Sequence, residues 1–182
     1  MSAQPPSIRS EYEKRGVRGF YRDAGAEYRN PHEPQVRRCI AAAVAKWKPD
    51  LSRVLDLAAG SGEATLALRE LGAGQVDGAD PYTADTYFAR TGSLARPLSF
   101  EGVAAGALAG RRYTLIVCSF ALHLCEPSRL PAVCQQLGLV GDQLLVVTPH
   151  KRPVIDPTWG WVLLGEDVVE RVRARFYRAV AG

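Results

Sequence analysis

Apolar residues recur along this chain in two spacings, and the switches between them mark out the elements. The first 30 or so positions are polar, rich in Arg, Tyr and Gly, and GFYRDAGAEYRNPHEP closes them with two prolines. Gln35–Trp47 then places Val36, Cys39, Ile40, Ala43, Val44 and Trp47 on one helical face, and Lys48-Pro49-Asp50 stops it. Short strand-like runs follow at Arg53–Ala58, Gln75–Ala79, Tyr113–Phe120 and Gln143–Thr148, with a weaker one near Pro97–Phe100. Helical stretches lie between them at Glu63–Leu71, Thr83–Arg90 (Thr83 as its cap) and Ser128–Leu137. From Trp159 to Val180 the spacing becomes two, which predicts strands at the C-terminal end.

Strand and helix in alternation predict an α/β fold: a doubly wound, mostly parallel sheet with helices on both faces. Tyr113–Phe120 is apolar enough for the middle of such a sheet. Little room remains for a helix after Gln143–Thr148, so the C-terminal layer is expected to be abbreviated. The division expected is an N-terminal arm or lid over residues 1–34 and one domain over 35–182.

The densest chemical signal is RVLDLAAGSGE, Arg53 to Glu63. An apolar run ends at Asp56, and a turn of Ala58, Ala59, Gly60, Ser61 and Gly62 leads into a helix. Small residues there let the main chain approach a ligand closely. A phosphate-binding loop would need Lys followed by Ser or Thr, and a dinucleotide fingerprint would need a third glycine. Neither is present. Glu63, at the start of the helix, disfavours a diphosphate and suits a ligand without phosphate, such as S-adenosylmethionine.

DLAAGSGEATLAL resembles the first motif of class I S-adenosylmethionine-dependent methyltransferases, with Ala58 where that family most often has Gly. The resemblance runs in order through about Ala41 to His150. It implies that Asp80, at the end of the second strand, takes the ribose hydroxyls, with Pro81 and Tyr82 against the adenine. Asp56 would hold the turn and the amino group of the methionine tail, and Ala58, Ala59 and Gly60 would present main chain to the same tail. Ser119, Phe120 and His123 would stand beside the reactive methyl. Tyr28 would touch the methionine carboxylate. In the place of the third motif FEGVAAGAL offers no matching Asp.

Methyl transfer needs alignment and a deprotonated acceptor more than activation, so a histidine at a strand end is a candidate base. His123 is the first choice, ahead of His150 and His32. CSFALHL lacks the Asn-Pro-Pro-Tyr type of loop with which nucleic-acid amino methylases hold a flipped base. The implied activity is methyl transfer to an O or N acceptor, a small molecule first, RNA or protein second. A non-catalytic cofactor-binding or scaffold subunit is the reading from a different class.

Charge changes this picture only modestly. The formal net charge is +4, which permits an acidic partner without requiring one. Arg171, Arg173 and Arg175 alternate with apolar residues, so on a strand they share one face: either a charged sheet edge or a contact stripe for RNA. Cys39, Cys118, Cys125 and Cys134 form no metal-ligand spacing, so no metal is expected and buried free thiols are. No apolar run suits a membrane span and the N-terminus has no apolar signal core, which leads to a cytoplasmic expectation.

Overall fold

A computed structural model describes residues 30–180. Its elements are α1 (Glu33–Trp47), β1 (Arg53–Leu57), α2 (Glu63–Glu70), β2 (Gln75–Ala79), α3 (Ala84–Thr91), α4 (Phe100–Ala104), β3 (Leu115–Ser119), α5 (Leu130–Gly138), β4 (Gln143–Thr148), β5 (Trp161–Val169) and β6 (Val172–Ala179). One-turn 3-10 helices lie at Leu122–Leu124 and Pro157–Trp159. The strands form one sheet in the order β2-β1-β3-β4-β6-β5. The first four are mutually parallel, and the β5–β6 hairpin adds antiparallel to β4. The strand order reverses between β1 and β3, so the crevice for a ligand lies at their C-terminal ends.

Each face of the sheet has its own core. On one side α1 and α2 bring Val36, Ile40, Ala43 and Leu68 onto Val54, Leu115, Val117 and Val147. On the other, α4, α5 and Trp161 pack on Leu55, Ile116, Leu144 and Val146. The Trp161 indole N–H, fully buried, donates to the Cys134 carbonyl at 2.9 Å. Helix α1 ends where Lys48 turns left-handed, at φ 48°, ahead of Pro49.

The mostly parallel, doubly wound sheet and its short C-terminal layer match the sequence expectation. Only a 3-10 turn separates β4 from the final hairpin. The strand expected near Pro97–Phe100 does not form. Arg96 makes a single bridge to the β2 end, donating to the Gly78 carbonyl and accepting from the Asp80 N–H. Pro97 then has no N–H to continue a ladder, and the Ser99 hydroxyl caps α4 by accepting from Gly102 N–H. The arginine stripe is also relocated. β6 lies inside the sheet, between β4 and β5, and Arg171 sits in the hairpin turn at φ 69°. It is therefore not a sheet edge.

Candidate functional site

The turn between β1 and α2 is held from several directions. Ala58 and Gly60 both adopt left-handed backbone, at φ 55°, and Gly62 sits at φ 91°. A Cβ at Gly62 would stand 2.6 Å from Thr91 Cγ2, so only glycine fits. The Gly60 N–H donates to Asp80 Oδ2 at 3.1 Å, and its carbonyl accepts from the Thr83 hydroxyl at 2.6 Å. The Ala59 N–H donates to the Ala79 carbonyl at 3.0 Å, and the Ala59 carbonyl accepts from Gly62. These main-chain groups of Ala59 and Gly60, expected to face a ligand, are thus engaged within the protein.

Asp80 joins the two loops. Besides Gly60, it accepts from the N–H groups of Tyr82 and Thr83 through Oδ1, at 2.8 and 3.2 Å. Three of its roughly four acceptor directions are used, leaving room for one further donor. Burial raises its pKa, and the backbone bonds oppose that shift. Thr83 occupies the α3 cap position foreseen for it, but its hydroxyl turns to Gly60 instead of the helix.

Beneath the turn lies a fully buried trio. Thr65 Oγ1 donates to Asp56 Oδ2 at 2.7 Å and stands 2.9 Å from the Tyr87 hydroxyl. Asp56 Oδ1 is buried and has no partner. Burial pushes its pKa up to about 7, against the bond from Thr65 and assisted by the charge of Glu63. An acid so placed is primed for a cationic partner.

A second network ties α1 to the same turn. The Arg90 guanidinium reaches Glu33 Oε1 at 2.6 Å, the Ser61 carbonyl at 3.2 Å and Glu63 Oε1 at 3.5 Å. Glu63 also accepts from the Ser61 hydroxyl and from the Asn30 N–H. Thr65, Tyr87 and Arg90 were not among the sequence candidates, and Glu63 was read only as a negative charge beside the turn. The bonds that tie Thr65 to Tyr87 and Arg90 to Glu33 and Glu63 join separate elements, and no local spacing announces them.

Across the crevice, β3 ends at Ser119, and Phe120 follows in left-handed backbone, at φ 54°. A non-glycine residue held there is a strain that often marks a working site. His32 stacks on the Phe120 ring with centroids 5.4 Å apart, and His123 and His150 are 4.3 Å apart. All three histidines of the chain therefore gather at this end of the sheet. His123 Nδ1 is buried and unpartnered. Burial, then the neighbouring His150, lower its pKa to about 4, so it is uncharged at neutral pH.

The loop leaving β4 is anchored from below by Arg175, which is 4% exposed. Its Nε donates to Glu166 at 2.6 Å, and its two terminal nitrogens donate to the Pro153 and Lys151 carbonyls at 2.9 and 2.7 Å. Arg173 also pairs with Glu166, at 2.9 Å. Arg175 is structural here and offers no free cation.

Of the sequence candidates, Asp56, Ala58, Ala59, Gly60, Asp80 and Pro81 lie around the β1 and β2 ends, and Ser119, Phe120 and His123 around the β3 end. Tyr28 falls outside the described residues. All four cysteines are free and buried, and burial raises every one of their pKa values. Among the described residues no helix is long and apolar enough to cross a membrane.

Sheet order, crevice and glycine turn together define the class I methyltransferase fold. It is shared with 1,6-didemethyltoxoflavin-N1-methyltransferase of Burkholderia thailandensis, solved with S-adenosylhomocysteine (TM-score 0.67, 16% identity, 99% of this chain and 94% of that one). Magnesium protoporphyrin IX methyltransferase of Synechocystis PCC 6803, solved with S-adenosylmethionine, matches over 100% of both chains (TM-score 0.59, 17% identity). A putative RNA methyltransferase of Pyrococcus horikoshii covers 87% of this chain and 89% of its own (TM-score 0.64, 13% identity). No family model matches the sequence. Uncharacterized protein C17A5.05c of Schizosaccharomyces pombe is 31% identical over 230 aligned positions, 96% of this chain and 93% of the relative, and the chain belongs to the family of that protein.

Proposed function

We infer that this chain is an S-adenosylmethionine-dependent methyltransferase acting on an O or N atom of a small molecule. The observation that carries the reading is Asp56, an acid with one buried, unpartnered oxygen beneath the glycine turn. The cofactor fits the residues present: Asp56 Oδ1 would receive its ammonium, and the remaining acceptor direction of Asp80 a ribose hydroxyl. Glu63 beside the turn disfavours a phosphate in the same place. When bound, S-adenosylmethionine supplies a methyl group already activated on a positively charged sulfur.

The protein's own part is alignment. Gly60, clamped through both main-chain groups, fixes the turn without waiting for a ligand. Phe120, stacked on His32, flanks the acceptor side. His123, uncharged, does not repel a cationic neighbour, and its free Nδ1 accepts the acceptor's hydrogen bond.

Calorimetry with S-adenosylmethionine and S-adenosylhomocysteine tests the reading, followed by transfer of labelled methyl groups to a panel of small acceptors. Saturable heat with both cofactor forms and label on a small product are the expected results. No heat at high concentration would leave a scaffold subunit as the better account.

A further inference from the structure

The loop Thr148 to Pro153 joins a buried anchor to exposed charge. Arg175 draws the Lys151 and Pro153 carbonyls inward beneath the loop. The His150 N–H donates to Thr148 Oγ1 at 3.1 Å, which tightens the first turn. The Lys151 and Arg152 side chains are exposed, and neither has an ion pair among the described residues. Many other cations are compensated: Arg37 by Glu70, Arg38 by Glu170, Arg90 by Glu33, Arg129 by Glu101 and Arg173 by Glu166. Lys48, Arg171 and Arg178 are also exposed without an ion pair among the described residues, and what sets Lys151 and Arg152 apart is that they follow directly on His150, whose ring packs on His123 at the acceptor end of the sheet.

A loop whose backbone is already held by a buried guanidinium need not be ordered when a ligand arrives, which lowers the cost of binding an anion through cations carried on it. Arg adds a planar fork that matches carboxylate or phosphate. We propose that the methyl acceptor carries an anionic group, a carboxylate or a phosphate monoester, and that Lys151 and Arg152 seat it beside His123 and His150. The proposal rests on the methyltransferase reading and supplies its substrate class. A small acceptor is favoured over RNA because Arg173 and Arg175, the arginines that would extend a phosphate track, are both taken by Glu166.

The test uses the full chain saturated with S-adenosylhomocysteine, titrated in the calorimeter with benzoate, phenyl phosphate and a single-stranded RNA oligonucleotide. At least one small anion is expected to bind saturably, and comparing benzoate with phenyl phosphate separates carboxylate from phosphate. In the Lys151→Gln, Arg152→Gln double variant that affinity is expected to fall about tenfold or more, with S-adenosylhomocysteine binding at the parental level. The proposal is overturned if neither small anion binds, if the double variant binds them as well as the parent, or if the RNA alone binds. Failure of S-adenosylhomocysteine to bind the parent chain strikes the underlying reading instead, and this proposal falls with it.

Discussion

The two halves of the crevice are built differently. Around the ends of β1 and β2, the main-chain groups of Ala59 and Gly60 described above are used internally, and Asp80, Thr83, Glu63 and Arg90 bind the loops to one another. One buried oxygen, Asp56 Oδ1, is left over. Around the ends of β3 and β4 the reverse holds. Phe120 is strained, His123 keeps an unpartnered nitrogen, and Lys151 and Arg152 stand in solvent above the Arg175 anchor. A half that grips one fixed cofactor gains from over-determination. A half that selects an acceptor needs free polar groups on a loop whose chemistry can change without disturbing the turn.

That contrast can be broken most forcefully at Arg175. Arg175→Met leaves the Lys151 and Pro153 carbonyls without their donor and Glu166 with Arg173 alone, at an expected cost of about 2–4 kcal/mol in urea unfolding. It should also weaken benzoate or phenyl phosphate binding while S-adenosylhomocysteine affinity changes little. Equal losses at both ligands would mean the halves are not separable. Asp80→Ala comes next, with cofactor affinity expected to fall by about 1–3 kcal/mol in calorimetry. It also removes the acceptor of Gly60, Tyr82 and Thr83, so unchanged cofactor binding would misplace the nucleoside.

The finest test is pH. Asp56 titrates near 7 in the folded chain and near 4 in an unfolded one, so the native state holds the extra proton. Its contribution is therefore fully present at low pH and is lost as pH rises from about 4 to 7. His123 works in the opposite sense: titrating near 4 when folded against about 6.5 unfolded, it contributes stability that is lost as pH falls through that window. The two nearly cancel. Asp56→Asn should expose the His123 limb, so that urea stability rises by up to about 1.4 kcal/mol per pH unit more steeply than in the parent between pH 4.5 and 6.5. Parallel pH curves for parent and variant would show that Asp56 is not the proton holder.

Much of the fold was legible because it is local. Gln75–Ala79 and Gln143–Thr148 are strands over the residues their apolar runs predict. Trp159–Val180 contains the hairpin that its alternation implies. The segment near Pro97 misled because apolar content suggested a strand, while the missing Pro97 donor and the Ser99 cap favoured a helix turn. In the site, Asp56 and Asp80 were legible as acids closing strands. Glu63 was legible as a charge beside the turn, but the pairings of Arg90 and Arg175 were not: Arg90 meets Glu33 from 57 positions away, and Arg175 meets Lys151 from 24. The arginine alternation in β6 was visible, but its burial against Glu166 was not.

The amino-acid sequence by itself determined the strand–turn–helix opening, the order of elements and the type of ligand the turn excludes. Those properties follow from periodicity, backbone freedom and the charge of the nearest neighbours. Tertiary structure alone decided which polar groups are used up and which stay open, since that depends on which distant donors and acceptors the packed elements bring within reach. It tied Gly60, Asp80 and Arg175 into internal bonds and left Asp56 Oδ1, His123 Nδ1 and the Lys151–Arg152 pair without a hydrogen-bond or charge partner among the described residues.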